Sequence, residues 1–127
     1  MLVVSAAIIH REDKVLISQR LEGSYLEFLW EFPGGKVEEG ESPEECIVRE
    51  IMEELNINIE VMGIYDVVYH KYEDKTILLL VYDCQFISGK PKPIECNAYN
   101  WVTLGELDAY KFTYADDRVA KKLTRHM

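Results

Sequence analysis

The chain has 127 residues, of which 48% are hydrophobic and 29% are charged, which is an ordinary balance for a globular protein. This length is enough for one hydrophobic core, so we expect one domain spanning residues 1–127. The formal net charge of −9 argues against a long nucleic acid, because such a partner is held by releasing counterions to basic side chains. A small polyphosphate remains possible if divalent cations bridge it to the protein.

The N-terminal stretch MLVVSAAII is largely apolar, but no basic segment precedes it and it is too short to span a bilayer. We therefore expect neither a signal peptide nor a membrane anchor. The three cysteines, Cys46, Cys84 and Cys96, are too few and too scattered for a zinc or disulfide framework. Reduced thiols are typical of a cytoplasmic protein.

A pair of strands followed by a turn is predicted in the first 35 residues. Residues 2–9 and 14–20 predict a hairpin joined through a polar turn at residues 11–13. Trp30, Glu31 and Phe32 then lead into residues 33–35 (Pro-Gly-Gly), which predict a turn.

A helix is predicted next, beginning at about Ser42. Ser42 suits the N-cap, Pro43 suits the first helical position, and Glu45 completes a capping box. Further along this helix three glutamates follow i, i+3, i+4 spacing and share one face, namely Glu50, Glu53 and Glu54. A neighbouring apolar arc consists of Ile47, Val48, Ile51, Met52 and Leu55. By itself, such an acidic face is usually a solvated surface.

The second half of the chain predicts more strands and a closing helix. Residues 57–72 are rich in β-branched and aromatic types, and residues 76–86 form an apolar run typical of a strand covered on both faces. Residues 88–95 predict a loop, residues 97–102 a short strand, residues 103–107 a helical turn, and residues 116–126 a helix. We therefore expect an α/β (α+β) fold with a mixed sheet between helices.

The loop before the first helix carries further residues that stand at fixed distances in sequence from these glutamates. The pattern is Gly35, five residues, Glu41, seven residues, Arg49 and Glu50, an aliphatic residue, Met52, and then Glu53 and Glu54, which is the pattern of the Nudix box. Over residues 35–57 the chain therefore resembles a Nudix hydrolase. Asn56 stands where the family pattern has glycine. A left-handed residue is expected at this helix end, and asparagine tolerates that conformation best after glycine.

The resemblance implies a Nudix αβα sandwich and hydrolysis of a phosphoanhydride bond, with Mg²⁺ as cofactor and Mn²⁺ able to substitute. The implied metal ligands are the Gly35 carbonyl, Glu50, Glu53 and Glu54. The implied catalytic group comprises Glu50, Glu53, Glu95 and Arg49. Within it, Arg49 supports the loop together with Glu41, and the water-activating base is either Glu50 or Glu95. A solvated loop residue is the alternative for Glu95.

Segments outside the box resemble the MutT-type nucleoside triphosphate pyrophosphohydrolases, over residues 18–20, 29–36 and 112–123. The resemblance implies that Asp116, at the start of the last helix, reads the base edge, and Arg20, Phe32 and Tyr114 are further candidates for substrate binding. Tyr114 would do so by lining the pocket, and a packing role is its alternative. An ionised Asp116 only accepts hydrogen bonds, so it would favour an amino or ring N–H edge, as in cytosine or 8-oxoguanine. An N-cap role is its alternative. A core position is the alternative for Phe32, and a salt bridge is the alternative for Arg20.

We therefore expect conversion of nucleoside triphosphates to a monophosphate and pyrophosphate, with removal of oxidised nucleotides such as 8-oxo-dGTP as one role. A CTP or modified dCTP pyrophosphatase is the nearest alternative. ADP-ribose hydrolysis is disfavoured because no proline lies between Pro43 and Pro91, whereas such members often carry one past the box. The intact carboxylates disfavour a non-catalytic sensor, and the acidic charge disfavours RNA decapping. A monomer and a homodimer both remain open.

Overall fold

The computed structural model describes residues 1–126, which form seven strands, two α-helices and one 3₁₀ helix. The first strands are β1 (Leu2–Arg11), β2 (Lys14–Gln19), β3 (Trp30–Glu31) and β4 (Gly34–Lys36), and they precede α1 (Pro43–Leu55). Then follow β5 (Ile57–Lys71), β6 (Thr76–Gly89), β7 (Ala98–Thr103), the 3₁₀ helix Leu104–Ala109, and α2 (Tyr114–Arg125). Neither α-helix within residues 1–126 is long and apolar enough to cross a membrane.

The strands form a mixed sheet in the order β3-β2-β1-β6-β5. Strands β1 and β6 are parallel, whereas β5 and β6 form a long antiparallel pair. Strand β1 also serves two antiparallel partners, because its first half pairs with β4 and its end pairs with β2. This double use of β1 brings the glycine-rich segment at β4 to the sheet beside α1.

Two apolar cores lie on opposite faces of the sheet. Along β1, Ala7 and Ile9 pack on the α1 side, whereas Ala6 and Ile8 pack on the side of α2 and the 3₁₀ helix. This separation follows from the alternation of side chains in a strand. The expected αβα sandwich with a mixed sheet is therefore confirmed.

Most predicted elements are present, including the first hairpin, the long strands β5 and β6, and the helical turn after Thr103. The predicted turn at residues 33–35 is wrong, since Gly34 and Gly35 belong to β4 and pair with Ala6 and Ser5. A Cβ on Gly34 would overlap the carbonyl oxygen of Ser5, so glycine here serves the close approach of the two strands. Strand β6 also continues to Gly89, which shortens the predicted loop.

Helix α1 has both predicted ends. The Ser42 hydroxyl accepts a hydrogen bond from the Glu45 N–H at 3.1 Å, and the Glu45 carboxylate accepts one from the Ser42 N–H at 2.9 Å. At the other end Asn56 is left-handed, with φ of 60° and ψ of 35°, and its N–H donates to the Met52 carbonyl at 3.0 Å. The expectation of a left-handed asparagine is therefore confirmed.

We predict that Asn56→Ala lowers the free energy of unfolding by roughly 1–2 kcal/mol, because alanine is strained in the left-handed conformation. Urea unfolding monitored by circular dichroism measures this change. Asn56→Gly is the matched control and should be at least as stable as the parent. Equal stability of the alanine variant and the parent would contradict this account of the helix end.

Candidate active site

The acidic face of α1 runs from a buried to an exposed position. Glu54 is buried, the Glu50 side chain is 16% exposed, and the Glu53 side chain is 47% exposed. The carboxyl group of Glu50 lies directly against Gly35, where a Cβ would overlap it. Glycine at position 35 therefore lets a carboxylate of the helix approach the backbone of β4.

Arg49 joins the loop before α1 to this acidic face. Its Nε and Nη2 atoms donate to the two carboxylate oxygens of Glu41 at 3.0 and 2.8 Å. Its Nη1 atom donates to Glu50 at 3.0 Å and to Glu53 at 3.2 Å. The Arg49 hydrogen bonds, with a further one from the Glu38 N–H, lower the pKa of Glu41 to about 2. This is the geometry of a supporting pair that holds the loop on the helix.

Glu54 is the most perturbed carboxyl group of the site. Burial, followed by the charges of Glu31, Glu50 and Glu95, raises its pKa to about 9. Its Oε2 atom is buried and has no hydrogen-bond partner among residues 1–126. Burial also raises the pKa of Glu50, although Arg49 opposes this shift. Carboxylates gathered in this way repel one another unless a proton or a cation is shared among them.

The oxygen donors of this cluster fit a hard divalent cation in type. In the present arrangement of residues 1–126, no three acidic, histidine or cysteine side chains stand close enough together to hold a metal ion. Arg49 accounts for part of the separation between these carboxyl groups, because its guanidinium group forms salt bridges with both Glu50 and Glu53. Binding of one ion by all three glutamates would require the Glu50 and Glu53 side chains to turn from Arg49 towards Glu54. The Oε2 atom of Glu54 is buried and unpartnered within residues 1–126, so it is available as a ligand.

A cavity of about 310 Å³ lies beside the carboxylates. Its lining includes six of the residues predicted for the site, namely Arg20, Phe32, Gly35, Glu54, Glu95 and Asp116. Glu50 and Glu53 are not part of the lining. Residues from five distant parts of the chain therefore meet around one space.

Asp116 lies on the wall of this cavity at the first turn of α2. Its Oδ1 atom accepts from the Phe32 N–H at 2.9 Å, and its Oδ2 atom accepts from the Thr113 hydroxyl at 2.6 Å. Burial and, secondly, the charge of Glu31 raise the pKa of Asp116 to about 7. The alternative N-cap role is wrong, because Thr113 occupies the N-cap position and the helix begins at Tyr114 rather than at residue 116.

The other predicted substrate residues differ in their environment. Arg20 lines the cavity but also pairs with Glu31 at 3.0 Å. Phe32 is 2% exposed and its ring stacks on Phe112, so it is a core residue that also borders the cavity. Tyr114 is 70% exposed, does not line the cavity and stacks on His70. The prediction that Tyr114 lines the pocket is therefore wrong.

Sequence reasoning overlooked several residues of the lining, among them Glu31, Tyr25, Tyr72 and Lys75. Glu31 could have been found, because it directly precedes Phe32 in the segment that enters the box. The other three lie in a loop and a turn, where no periodicity indicates which side chains face inward.

Residues 4–122 match the NUDIX domain family. The 8-oxo-dGTP diphosphatase of Escherichia coli (strain K12) is 31% identical over 125 residues, which cover 98% of this chain and 97% of that protein. The CTP pyrophosphohydrolase of the same strain is 39% identical over 118 residues, which cover 91% of this chain and 86% of that protein.

Solved structures agree with this assignment. The crystal structure of the MutT NUDIX hydrolase from Burkholderia pseudomallei has a TM-score of 0.86 and 31% identity, covering 96% of both chains. The MutT protein from Methanosarcina mazei has a TM-score of 0.87 and 26% identity, covering 98% of this chain and 94% of that chain. The resemblance first seen in residues 35–57 is confirmed, and the chain belongs to the Nudix family of hydrolases.

Proposed function

We propose that this Nudix hydrolase converts nucleoside triphosphates to nucleoside monophosphates and pyrophosphate in a Mg²⁺-dependent reaction. The observation that carries this proposal is the buried, unpartnered carboxylate of Glu54 on the wall of a cavity that also contains Asp116. One end of the cavity thus offers oxygen ligands for a cation, and another part offers a polar group for a base. Relatives named for 8-oxo-dGTP and CTP support the same substrate class.

The cation would be held by Glu50, Glu53, Glu54 and the Gly35 carbonyl. When bound, Mg²⁺ shields phosphate charge and stabilises the leaving group, and Mn²⁺ would supply similar chemistry. Arg49 neutralises Glu50 and Glu53 until they turn to the ion, which limits the cost of keeping three carboxylates on one helix face. Glu54 needs no such movement, because it already lines the cavity.

Glu95 is the better of the two candidates for the group that positions or deprotonates water. It lines the cavity, whereas Glu50 is hydrogen-bonded to Arg49 and lies outside the lining. Its segment is anchored to the end of α1, since the N–H groups of Ile94 and Glu95 donate to the Glu54 carbonyl at 3.0 and 3.3 Å. A general base must lie within hydrogen-bond reach of the water that it deprotonates, and its pKa is considered only after this condition is met.

Asp116 is the residue that we propose to read the base. When ionised it accepts hydrogen bonds from an amino group or a ring N–H, and when protonated it also donates one. Burial and the charge of Glu31 raise its pKa, which favours the protonated form more than in an exposed aspartate. The edge of 8-oxoguanine offers several donors, so 8-oxo-dGTP is our first candidate. CTP is the second candidate. It is supported by the CTP pyrophosphohydrolase relative, which is 39% identical to this chain.

We further propose that the enzyme acts in the cytoplasm on free nucleotides rather than on long nucleic acids. All three cysteines are free and buried, as expected in a reducing compartment. The net charge of −9 disfavours the many phosphate contacts that a long nucleic acid would need.

Pyrophosphate release with Mg²⁺ across the dNTPs, the NTPs, 8-oxo-dGTP, 5-methyl-dCTP and ADP-ribose tests the reaction and ranks substrates by kcat/KM. Glu53→Gln should lower kcat by about two orders of magnitude or more with an unchanged circular dichroism spectrum, because it removes charge from the proposed metal site without changing shape. Glu39→Gln, an exposed residue of the preceding loop, is the control. Parental turnover by the Glu53 variant would show that the metal assignment is wrong.

Glu54 should make the stability of the metal-free protein depend on pH. Its pKa is about 9 when folded and near 4.5 when unfolded, so between these values the folded state holds the extra proton. The stability contributed by this group is complete below about pH 4.5 and is lost as pH rises towards 9, at most by about 1.4 kcal/mol per pH unit. In EDTA, Glu54→Gln should remove this part of the slope and exceed the parent in stability at pH 8.

Urea unfolding at several pH values measures the difference between the Glu54 variant and the parent. Glu53→Gln should keep the parental slope, since that side chain is half exposed. Adding Mg²⁺ should flatten the slope of the parent only. Parallel profiles for the parent and Glu54→Gln would contradict the assigned burial of this carboxyl group.

Asp116→Asn should change the ranking of bases more than the rate on the best substrate, because the amide can both donate and accept. The substrate panel described above measures the ratio of kcat/KM between 8-oxo-dGTP, CTP and the unmodified purine nucleotides. Equal losses on every nucleotide would instead indicate that Asp116 only holds Phe32 and Thr113 in place.

A further inference from the structure

Tyr72 lies at the junction of the cavity, the β5–β6 turn and the first turn of α2. It directly follows β5, is buried and lines the cavity. Its N–H donates to the Lys75 carbonyl at 2.8 Å, which fixes the backbone of the turn. Its ring makes edge-to-face contacts with Tyr25 at 6.3 Å and with His70 at 4.4 Å. The ring is therefore held by two aromatic contacts that do not involve its hydroxyl group.

The Tyr72 hydroxyl accepts a hydrogen bond from the backbone N–H of Ala115 at 3.2 Å. Ala115 is the second residue of α2, and N–H groups at this position have no partner within the helix. A side chain at the N-cap commonly accepts from such a group. Here the N-cap residue Thr113 makes no capping hydrogen bond with its side chain. Tyr72 thus caps α2 from another part of the fold.

The Thr113 hydroxyl has a different role, because it donates to Asp116 Oδ2 at 2.6 Å. The Thr113 backbone is fixed as well, since its N–H donates to the Trp30 carbonyl at 3.1 Å. Asp116 is therefore oriented by two donors, the Thr113 hydroxyl and the Phe32 N–H. In its observed rotamer the Thr113 oxygen makes no hydrogen bond with the Ala115 N–H. Accepting from that N–H would require the Thr113 side chain to change rotamer, which would move its oxygen relative to Asp116 and weaken the contact.

We propose that Tyr72 is a positioning residue for base discrimination, because its hydroxyl caps α2 and leaves Thr113 free to orient Asp116. This inference rests on the proposed reading of the base by Asp116. Tyr72 itself need not touch the substrate for this role. The alternative is that Tyr72 only packs at the turn, in which case its hydroxyl would affect stability but not the choice of base.

Tyr72→Phe tests the proposal, because it removes the hydroxyl and keeps the ring. We expect the ratio of kcat/KM between the best and the worst base to fall by about fivefold, which is the range that one hydrogen bond supports. Tyr69→Phe is the matched control, since Tyr69 lies on the preceding strand β5, is 59% exposed and is absent from the cavity lining. Its ratio should equal that of the parent.

A second measurement does not depend on turnover. The dissociation constants of 8-oxo-dGMP, dGMP and CMP, measured by calorimetry in EDTA, should converge in Tyr72→Phe by the same factor. In the Asp116→Asn background, Tyr72→Phe should change neither ratio, because the double-mutant cycle removes the group through which Tyr72 acts. An effect that persists without the Asp116 carboxylate would overturn the proposal.

Thr113→Val tests the next contact, because it removes the hydroxyl that donates to Asp116. This variant replaces Tyr72→Phe as the test if Tyr72→Phe does not fold. It should reproduce the loss of discrimination, and a parental ratio in this variant would overturn the proposal. Equal losses of kcat/KM on every base in Tyr72→Phe would also overturn it while leaving the proposed reaction intact. A parent enzyme that hydrolyses nucleotides without distinguishing bases would overturn the inference and the role of Asp116, but not the hydrolysis.

Discussion

The burial of several carboxylates at one end of α1 is the constraint on which the rest of the site depends. Carboxylates lose hydration when they are buried together, and the raised pKa of Glu54 and Glu50 is the direct consequence. The structure offsets this cost in two ways: Arg49 provides a positive charge at the exposed end, and Glu54 keeps a proton at the buried end. A bound divalent cation would take over the roles of the Arg49 charge and the Glu54 proton. Metal binding at this site would therefore also change the stability of the fold.

The fold makes this burial possible through close backbone packing. Strand β4 lies against β1 only because Gly34 has no side chain, and Glu50 reaches β4 only because Gly35 has none. Helix α1 is then fixed by its own caps at Ser42 and Asn56 and by an apolar face packed on the sheet. The buried end of the acidic face, at Glu54, is thereby presented to the cavity, whereas Glu53 remains half exposed to solvent.

Asp116, which we propose to read the base, lines the same cavity from the first turn of α2. Asp116 is buried and held by the Phe32 N–H and the Thr113 hydroxyl, and these two donors come from separate elements. The hydrogen-bond partners of Asp116 differ from those of the α1 carboxylates, whereas the charge of Glu31 raises the pKa of both Glu54 and Asp116.

The sequence by itself determined the elements and the box, because capping residues, helical spacing and β-branched runs are local signals. These signals located Glu50, Glu53 and Glu54 on one face and predicted Asn56 at the helix end. Only the tertiary structure decided which side chains meet, since residues far apart in sequence carry no local mark of their contact. In the folded structure Gly34 and Gly35 lie in a strand, and Thr113 is the N-cap of α2. Tyr114 is exposed, and Tyr72 contacts the helix that carries Asp116. Each of these outcomes depends on packing between distant segments, which local sequence patterns do not encode.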